Sequence, residues 1–549
     1  MSFTIQNVLI PVEGGYQTAE VQVVDNCISA LAKPSKRIAP NNPSVNSPPY
    51  QEETPLFNSP PYQEETPLFS PPPYQGETAL FSPPPYQGET ALFSPPPYQG
   101  ETALFSPPPY QGGDRGGETV IDGTNKLLLP GFVNAHTHSS EMWQRGIIPP
   151  LPLELWIAEL YDFTPLDTEQ IYLSALGTAV ETLLSGGTTV VDHLVLIPGQ
   201  ELETIAAAVR AYQEIGIRAF IGPLIQDESL KSGMPGGESG IETAAYLRST
   251  QTTLDLMESA IKQFHKPELG VNILLAPTGI QLCSDALFEG CIDLSDRQNL
   301  CRHAHLLETR AQKQLAQEKY GCSAVAHLQQ IGYLSPRTSL AHCVWLDDAD
   351  IAIMAATQST VVHNPLSNLR LGSGIAPILK YLQAGVNVSF GCDGAASNDS
   401  QDLLEAIKIG SLLHNIKDLD YRHWITPRQS VEMASLGGAK GLNMADKIGS
   451  LTVGKRADFV LYDLTNLSLL PRTDPIGLLI LGRPNNAVHS VWVNGKQIVA
   501  EGKVKTIDVD DLRKELFDRS EWTSKRQSAM VTEIEAHYRQ VMNLPDRSE

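Results

Sequence analysis

Eight short apolar runs, spaced through the middle of the chain and separated by stretches of helix length, constrain the fold more than any other feature. They read GFVNAH, GTTVVDH, RAFIGPL, VNILLAP, LCRHAHL, TSLAHC, STVVHNP and NVSFGCD. A parallel strand covered on both faces does not alternate apolar and polar residues, so continuous Val, Ile and Leu runs suit it. Strands of this kind alternating with helices predict an α/β fold. The expected form is a (β/α)8 TIM-like barrel, whose strand ends face one mouth; a doubly wound open sheet is the alternative.

The flanks have a different rhythm. NVLIPVEGGYQTAEVQVVDNCISALAKP and GETVIDGTNKLLLPGF before the runs, and GSLTVGKRADFVLYDL and AVHSVWVNGKQIVAEGKV after them, alternate apolar and polar residues as antiparallel strands do. Both chain ends thus supply one small β-sandwich, from residues 1–37, 114–128 and 446–505, around a barrel at 129–445. A charged helical extension is expected over 506–549. Residues 38–113 interrupt the sandwich with a twelve-residue repeat, marked by Tyr50, Tyr62, Tyr74, Tyr86, Tyr98 and Tyr110. Its prolines remove backbone donors and favour polyproline II, so a disordered or loosely extended insertion is expected. Loop-closure cost grows only logarithmically with length, so the sandwich can tolerate it.

Lys and Arg number 40 against 62 Asp and Glu, a formal charge of −22. That balance repels phosphate backbones and anionic lipid, which argues against nucleic acid and membrane partners. The start MSFTIQNVLIPVEGG lacks the basic and apolar regions of a secretory leader, and a cytoplasmic setting is expected. The seven cysteines form no CxxC pair and are expected to be reduced. Many barrels form dimers or larger assemblies, and a homo-oligomer is compatible with this one.

His136 and His138 close the first run as NAHTHSS, His305 ends the fifth, His342 the sixth and Asp393 the eighth. Residues two apart on a strand share a side, and all five polar groups fall at the strand ends that face a barrel's mouth. Neutral imidazoles with a carboxylate suit a divalent ion, zinc or iron(II), with a position left for water. Glu308, three residues past His305, can take a proton from activated water and hand it on. The bland reading makes these separate buried histidines and a loop glutamate, and must be invoked at each position in turn.

The motifs LLLPGFVNAHTH, HLLET, LAHC, VVHNPLSNLRLGSGIAPI and GCDGAASND together resemble the amidohydrolase superfamily, in its deaminase and chlorohydrolase branch that includes the S-adenosylhomocysteine and methylthioadenosine deaminases. The resemblance covers most of residues 1–37 and 115–505. It implies that His136, His138, His305 and Asp393 hold a single metal. It further implies that His342 holds the nucleophilic water, with Asp393 helping to deprotonate it, and that Glu308 shuttles the proton. LLAPTGIQLCSD at the fourth strand end has no bridging lysine, which favours one metal over two. Thr278 replaces a histidine usual in the adenosylhomocysteine-type members, and Leu155 stands before Trp156 where a ribose-binding glutamate is usual, with Glu154 one position earlier. Both departures fall on substrate contacts.

The expected activity is metal-dependent hydrolysis of a carbon–nitrogen bond other than a peptide bond: deamination of a cyclic amidine in a purine, pyrimidine or triazine-like ring. Loss of chloride or an alkylamine from the same carbon is the alternative. Glu141, Trp143, His193, Gln281 and His363 are further candidates for contact with this small heterocyclic substrate. Trp143 can stack on a flat ring or simply pack, and His193 can meet substrate or bond a loop. His363 and Asn364 shape a loop in either case, and Asn398 supports the one after Asp393. A reading of another class makes the chain an adaptor whose PPPY repeats dock on WW-type domains.

Overall fold

The structure is a computed structural model and describes residues 2–33, 119–161, 166–229, 233–236, 247–521 and 529–545. The repeat at 38–113, and its expected extended conformation, lie outside the described residues.

The chain opens with β1 (Phe3–Val12), β2 (Gly15–Val24), β3 (Cys27–Ala32), β4 (Thr119–Asp122) and β5 (Lys126–Pro130). All eight predicted runs are strands: β6 (Phe132–Thr137), β7 (Gly187–Leu194), β8 (Arg218–Ile225), a fourth split into β9 (Val271–Ile273) and β10 (Ala276–Pro277), β11 (Arg302–Leu306), β12 (Thr338–His342), β13 (Thr360–His363) and β14 (Val388–Phe390). The last strands are β15 (Phe459–Asp463), β16 (Val488–Val493), β17 (Lys496–Ala500) and β18 (Lys503–Val504).

Strands from both ends of the sequence form one nine-stranded sheet in the order β18-β17-β16-β15-β5-β1-β2-β3, with β4 on β1. β5 is its join, antiparallel to β15 through five residue pairs from Lys126 to Pro130 and parallel to β1 at Leu127. The sheet curls, so that the β3 edge meets the segment before β15: the Ile28 amide donates to the Lys455 carbonyl at 2.8 Å, and the Ala457 amide to Asn26 at 2.8 Å. Phe3, Phe459 and Trp492 pack inside this curl, with Phe3 stacked on Trp492 at 5.8 Å. Each phenylalanine buried there contributes about 1.5–3 kcal/mol.

The middle of the chain is a TIM-barrel-like α/β fold. It contains two parallel sheets, of five and four strands, in the orders β10-β8-β7-β6 (with β9 on β8) and β11-β12-β13-β14. Backbone bonds cross between them at both margins. Leu275 donates to Cys301 at 3.0 Å and His303 to Leu275 at 2.9 Å, while Asp393 donates to His136 at 2.9 Å. Their inner faces share a core of Val133, Ala135, Val191, Phe220, Leu274, Ala276 and Val362. Helices such as Thr168–Leu184 and Arg310–Tyr320 cover the outside, each started by a side-chain cap, Asp167 and Thr309 respectively. The C-terminal helices Val509–Asp518 and Ala529–Val541 fall in the expected extension. Among the described residues no helix is long and apolar enough to cross a membrane.

Candidate active site

Four strand ends converge. β6 ends at Thr137, so it carries His136 near its end and leads into His138, the first residue beyond it. Their rings lie 4.8 Å apart, and the His305 ring is 5.0 Å from His136 and 5.2 Å from His138. Asp393, beyond β14, places Oδ1 3.4 Å from His136 Nε2 and 3.6 Å from His138 Nε2. His136, His138 and Asp393 are buried, and His305 is partly buried.

Hydrogen bonds fix the tautomers. A carbonyl oxygen only accepts, so His138 Nδ1 donates to the His193 carbonyl at 2.6 Å and His305 Nδ1 donates to the Thr278 carbonyl at 2.7 Å. In neutral rings Nε2 is then the free nitrogen, and the two Nε2 atoms face each other at 3.2 Å. Two lone pairs held that close call for a cation between them. His136 has the same pattern: Nδ1 bonds His303 Nε2 at 2.8 Å, His303 Nδ1 bonds Ser339 Oγ at 2.7 Å, and the buried His136 Nε2 has no partner. Burial, which penalises the charged ring, takes His136 down to about 4 and holds His303 and His305 well below the usual imidazole range. For Asp393, burial alone would raise the carboxyl, but the adjoining imidazoles of His136, His342 and His138 hold it well below the usual value. Neutral imidazoles and an ionised carboxylate form a donor set for a divalent metal.

The proton-handling groups adjoin this set. Glu308 follows β11 at the cap of helix Arg310–Tyr320, where its amide donates to Gln312 Oε1 at 2.8 Å. Ser373 Oγ donates to Glu308 Oε1 at 2.9 Å, and Glu308 Oε2 lies 3.4 Å from His342 Nε2. His342 Nδ1 donates to Asn368 Oδ1 at 2.9 Å, which turns Nε2 toward Glu308 and toward Asp393 Oδ2, 3.6 Å away. Burial pushes the Glu308 carboxyl up to about 7. Glu141, buried under Gly394 and accepting from the Ala396 amide at 3.3 Å, is pushed up to about 7 by the same cause. Both belong in the range useful to a proton carrier at neutral pH.

These groups border an open cavity lined also by Glu141 and Gln281. Of the two alternatives for Trp143 the structure shows packing: its indole donates to the Gln170 carbonyl at 3.0 Å, and it is not among the residues that line the cavity. Trp156 lines the cavity instead. The expectation for His363 is corrected. Val362 points into the inner core, so strand alternation turns His363 outward, where its Nε2 is 3.3 Å from that of His414. His193 lies among the metal-binding candidates, in one group with His136, His138 and His305, its ring stacked 4.8 Å from His305, with Nε2 bonded to the Ala276 carbonyl and Nδ1 unpartnered. It does not reach the cavity lining. Asn398 bridges the Cys392 and Ser400 carbonyls, as expected of a loop support.

Comparison with known proteins matches residues 127–498 to the model of the amidohydrolase family. The chain belongs to the amidohydrolase family. This amidohydrolase is 31% identical over 409 residues, 74% of the chain and 88% of the relative, to a 5-methylthioadenosine/S-adenosylhomocysteine deaminase from Caldanaerobacter subterraneus subsp. tengcongensis. Its fold is similar to that of a triazine hydrolase from Arthrobacter aurescens, with a TM-score of 0.75 and 22% identity over 94% of this chain and 99% of that one. It is also similar to a zinc-bound adenosine deaminase from Xanthomonas campestris, with a TM-score of 0.71 and 22% identity over 94% and 97% of the two chains. The amidohydrolase is an aminohydrolase-type enzyme, and its histidine cluster accords with a divalent metal.

Proposed function

We propose that the enzyme hydrolytically deaminates a cyclic amidine in a purine, pyrimidine or triazine-like heterocycle, and that His136, His138, His305 and Asp393 hold one zinc ion, with iron(II) the alternative. The observation that carries this reading is the pairing of bare, mutually facing imidazole nitrogens with a carboxyl held near neutrality, Glu308, 3.4 Å from His342. A divalent ion supplies Lewis acidity, which brings the pKa of water from about 15.7 toward 7. Glu308 receives a proton at Oε2 and returns it to the ring nitrogen of the amidine. His342, its Nδ1 locked by Asn368, keeps Nε2 aimed at the attacking water, and Asp393 Oδ2 accepts from the same side. Water adds to the ring carbon as this first proton reaches the ring nitrogen; the second proton of the added water passes by way of Asp393 to the amino group, the carbon–nitrogen bond breaks, and ammonia leaves as the ring carbon becomes a carbonyl.

In this reading the two parallel sheets close as a (β/α)8 barrel, which the backbone bonds at Leu275 and Asp393 support. A cytoplasmic, homo-oligomeric enzyme acting on a small molecule, with neither nucleic acid nor membrane as partner, is in keeping with its acidic charge. The test is metal analysis of the purified protein, then ammonia release over aminopurines, aminopyrimidines and aminotriazines with matched chloro and alkylamino analogues. About one zinc or iron per chain and ammonia as product are expected. Asp393→Asn with an unchanged rate would overturn the mechanism, and chloride or alkylamine as the faster leaving group would replace deamination by the alternative.

A further inference from the structure

His136 is held differently from the other two histidines proposed as ligands. His138 and His305 each send the Nδ1 hydrogen to a backbone carbonyl, of His193 and of Thr278 respectively. His136 Nδ1 meets a second imidazole instead, His303 Nε2 at 2.8 Å, and His303 Nδ1 in turn meets the Ser339 hydroxyl at 2.7 Å. The strands dictate this chain. His303 pairs in register with Ser339 across β11 and β12, and it stands two residues before His305, on the same side of β11 and one step deeper in the fold. Its backbone is pinned at both ends, the amide donating to the Leu275 carbonyl at 2.9 Å and the carbonyl accepting from the Tyr333 hydroxyl at 3.1 Å. His136 and His303 are 0% exposed and Ser339 3%, so bulk water does not stand in for a missing member.

A carbonyl fixes the tautomer of its donor outright, because it only accepts. An imidazole does not, since either of its nitrogens can carry the hydrogen. The tautomer of His136 is therefore settled further down the chain, at Ser339. The Ser339 hydroxyl has one hydrogen, and the Arg302 carbonyl, 3.4 Å from Oγ, can take it in place of His303. With the hydrogen on the carbonyl side, His303 Nδ1 donates to Ser339 Oγ and His136 Nδ1 donates to His303 Nε2. His136 then offers a lone pair at Nε2, 3.4 Å from Asp393 Oδ1. With the hydrogen turned to His303, all three shift one place, and His136 presents an N–H where a metal needs a lone pair.

We infer that His303 is a positioning residue for the metal site: its Nε2 takes the His136 hydrogen and so aims the His136 lone pair at the ion, while Ser339 holds His303 in the matching tautomer. His303 does not line the cavity and both its ring nitrogens are engaged, so it acts through His136 alone. The inference rests on the proposed function only in taking His136 as a metal ligand.

Three variants of the full-length protein test it. His303→Leu fills the space without an acceptor, His303→Gln can place an amide oxygen close to where Nε2 stands, and Ser339→Ala removes a single oxygen from the far end of the chain. Zinc affinity is measured by competition with a chelating dye, the cobalt(II) form is followed by its visible absorption bands, and circular dichroism of the metal-free protein checks folding. Partners that orient a ligand are worth about 10- to 100-fold in metal affinity, and His303→Leu and Ser339→Ala are expected to lose that much, with altered cobalt bands. His303→Gln is expected to recover most of it. Wild-type zinc affinity in His303→Leu or Ser339→Ala, or a His303→Gln no better than His303→Leu, overturns the inference. If His303→Leu does not fold, Ser339→Ala decides alone. A wild-type protein that binds no zinc sinks the inference together with the metal reading, whereas a zinc-binding wild type matched by all three variants sinks the inference and leaves that reading standing.

Discussion

Glu308 has two neighbours that pull its proton affinity in opposite ways: the buried surroundings that raise it to about 7, and the Ser373 hydroxyl that steadies the charged form. If the carboxylate must begin each cycle, the rate rises with pH through that value and levels above it. Ser373→Ala removes the donor to the charged form, so the rising limb in a profile of kcat against pH shifts upward. Glu308→Gln lowers kcat by about 10²- to 10⁴-fold with zinc content unchanged. Much of this chemistry was legible in the sequence, since His136, His138, His305, His342 and Asp393 each end an apolar run. His303 was missed although alternation puts it on the same side as His305, one step deeper; its bond to His136 is the missing signal, and that needs the two strands side by side. For Trp143 and His363 the sequence left substrate contact and a structural role both open, for a related reason. Neither the direction of a side chain in the turn after a strand nor the outward face of a four-residue strand follows from a run of letters.

At the scale of elements, the approach of β14 to β6 sets the site. A Cβ at Gly391 would fall 2.4 Å from Asn364 Oδ1 and 3.0 Å from the backbone nitrogen of His136. Gly391→Ala therefore pushes apart the strand ends that bring Asp393 to His136. Overpacking of this kind costs about 1–3 kcal/mol, and a thermal melt with metal titration should show lower Tm together with weakened zinc affinity. Three of these ends also turn through left-handed backbone, at Leu307 (φ 44°), His342 (φ 73°) and Asp393 (φ 66°). Such conformations at residues other than glycine are held by their surroundings. The strands themselves were legible because both-sides-buried segments are apolar throughout, whereas these turns leave no such trace. The position of β5 between β1 and β15 was equally hidden, since alternation identifies a strand but not its partner.

For the whole molecule, the metal and the fold are linked. Glu141 and Glu308 are both raised by burial to about 7, so in the metal-free protein their contribution to stability is fully present below the ordinary glutamate pKa and is lost as pH rises through about 7. Chelation should accordingly lower Tm, and more so at pH 8 than at pH 5, with zinc restoring it. Excising residues 47–110 should leave metal content and turnover unchanged, because every described residue of the cavity wall lies at His138 or later in the sequence. The nine-stranded sheet, finally, has a consequence in time. β5 ends at Pro130 and its antiparallel partner β15 begins at Phe459. At ~5–20 residues per second, the roughly 330 residues between them take about 15–65 s to synthesise. Throughout that interval the ribosome-bound chain carries a half-finished sheet with an open edge at β5, so the N-terminal strands depend on shielding by chaperone or ribosome until the last part of the message has been read.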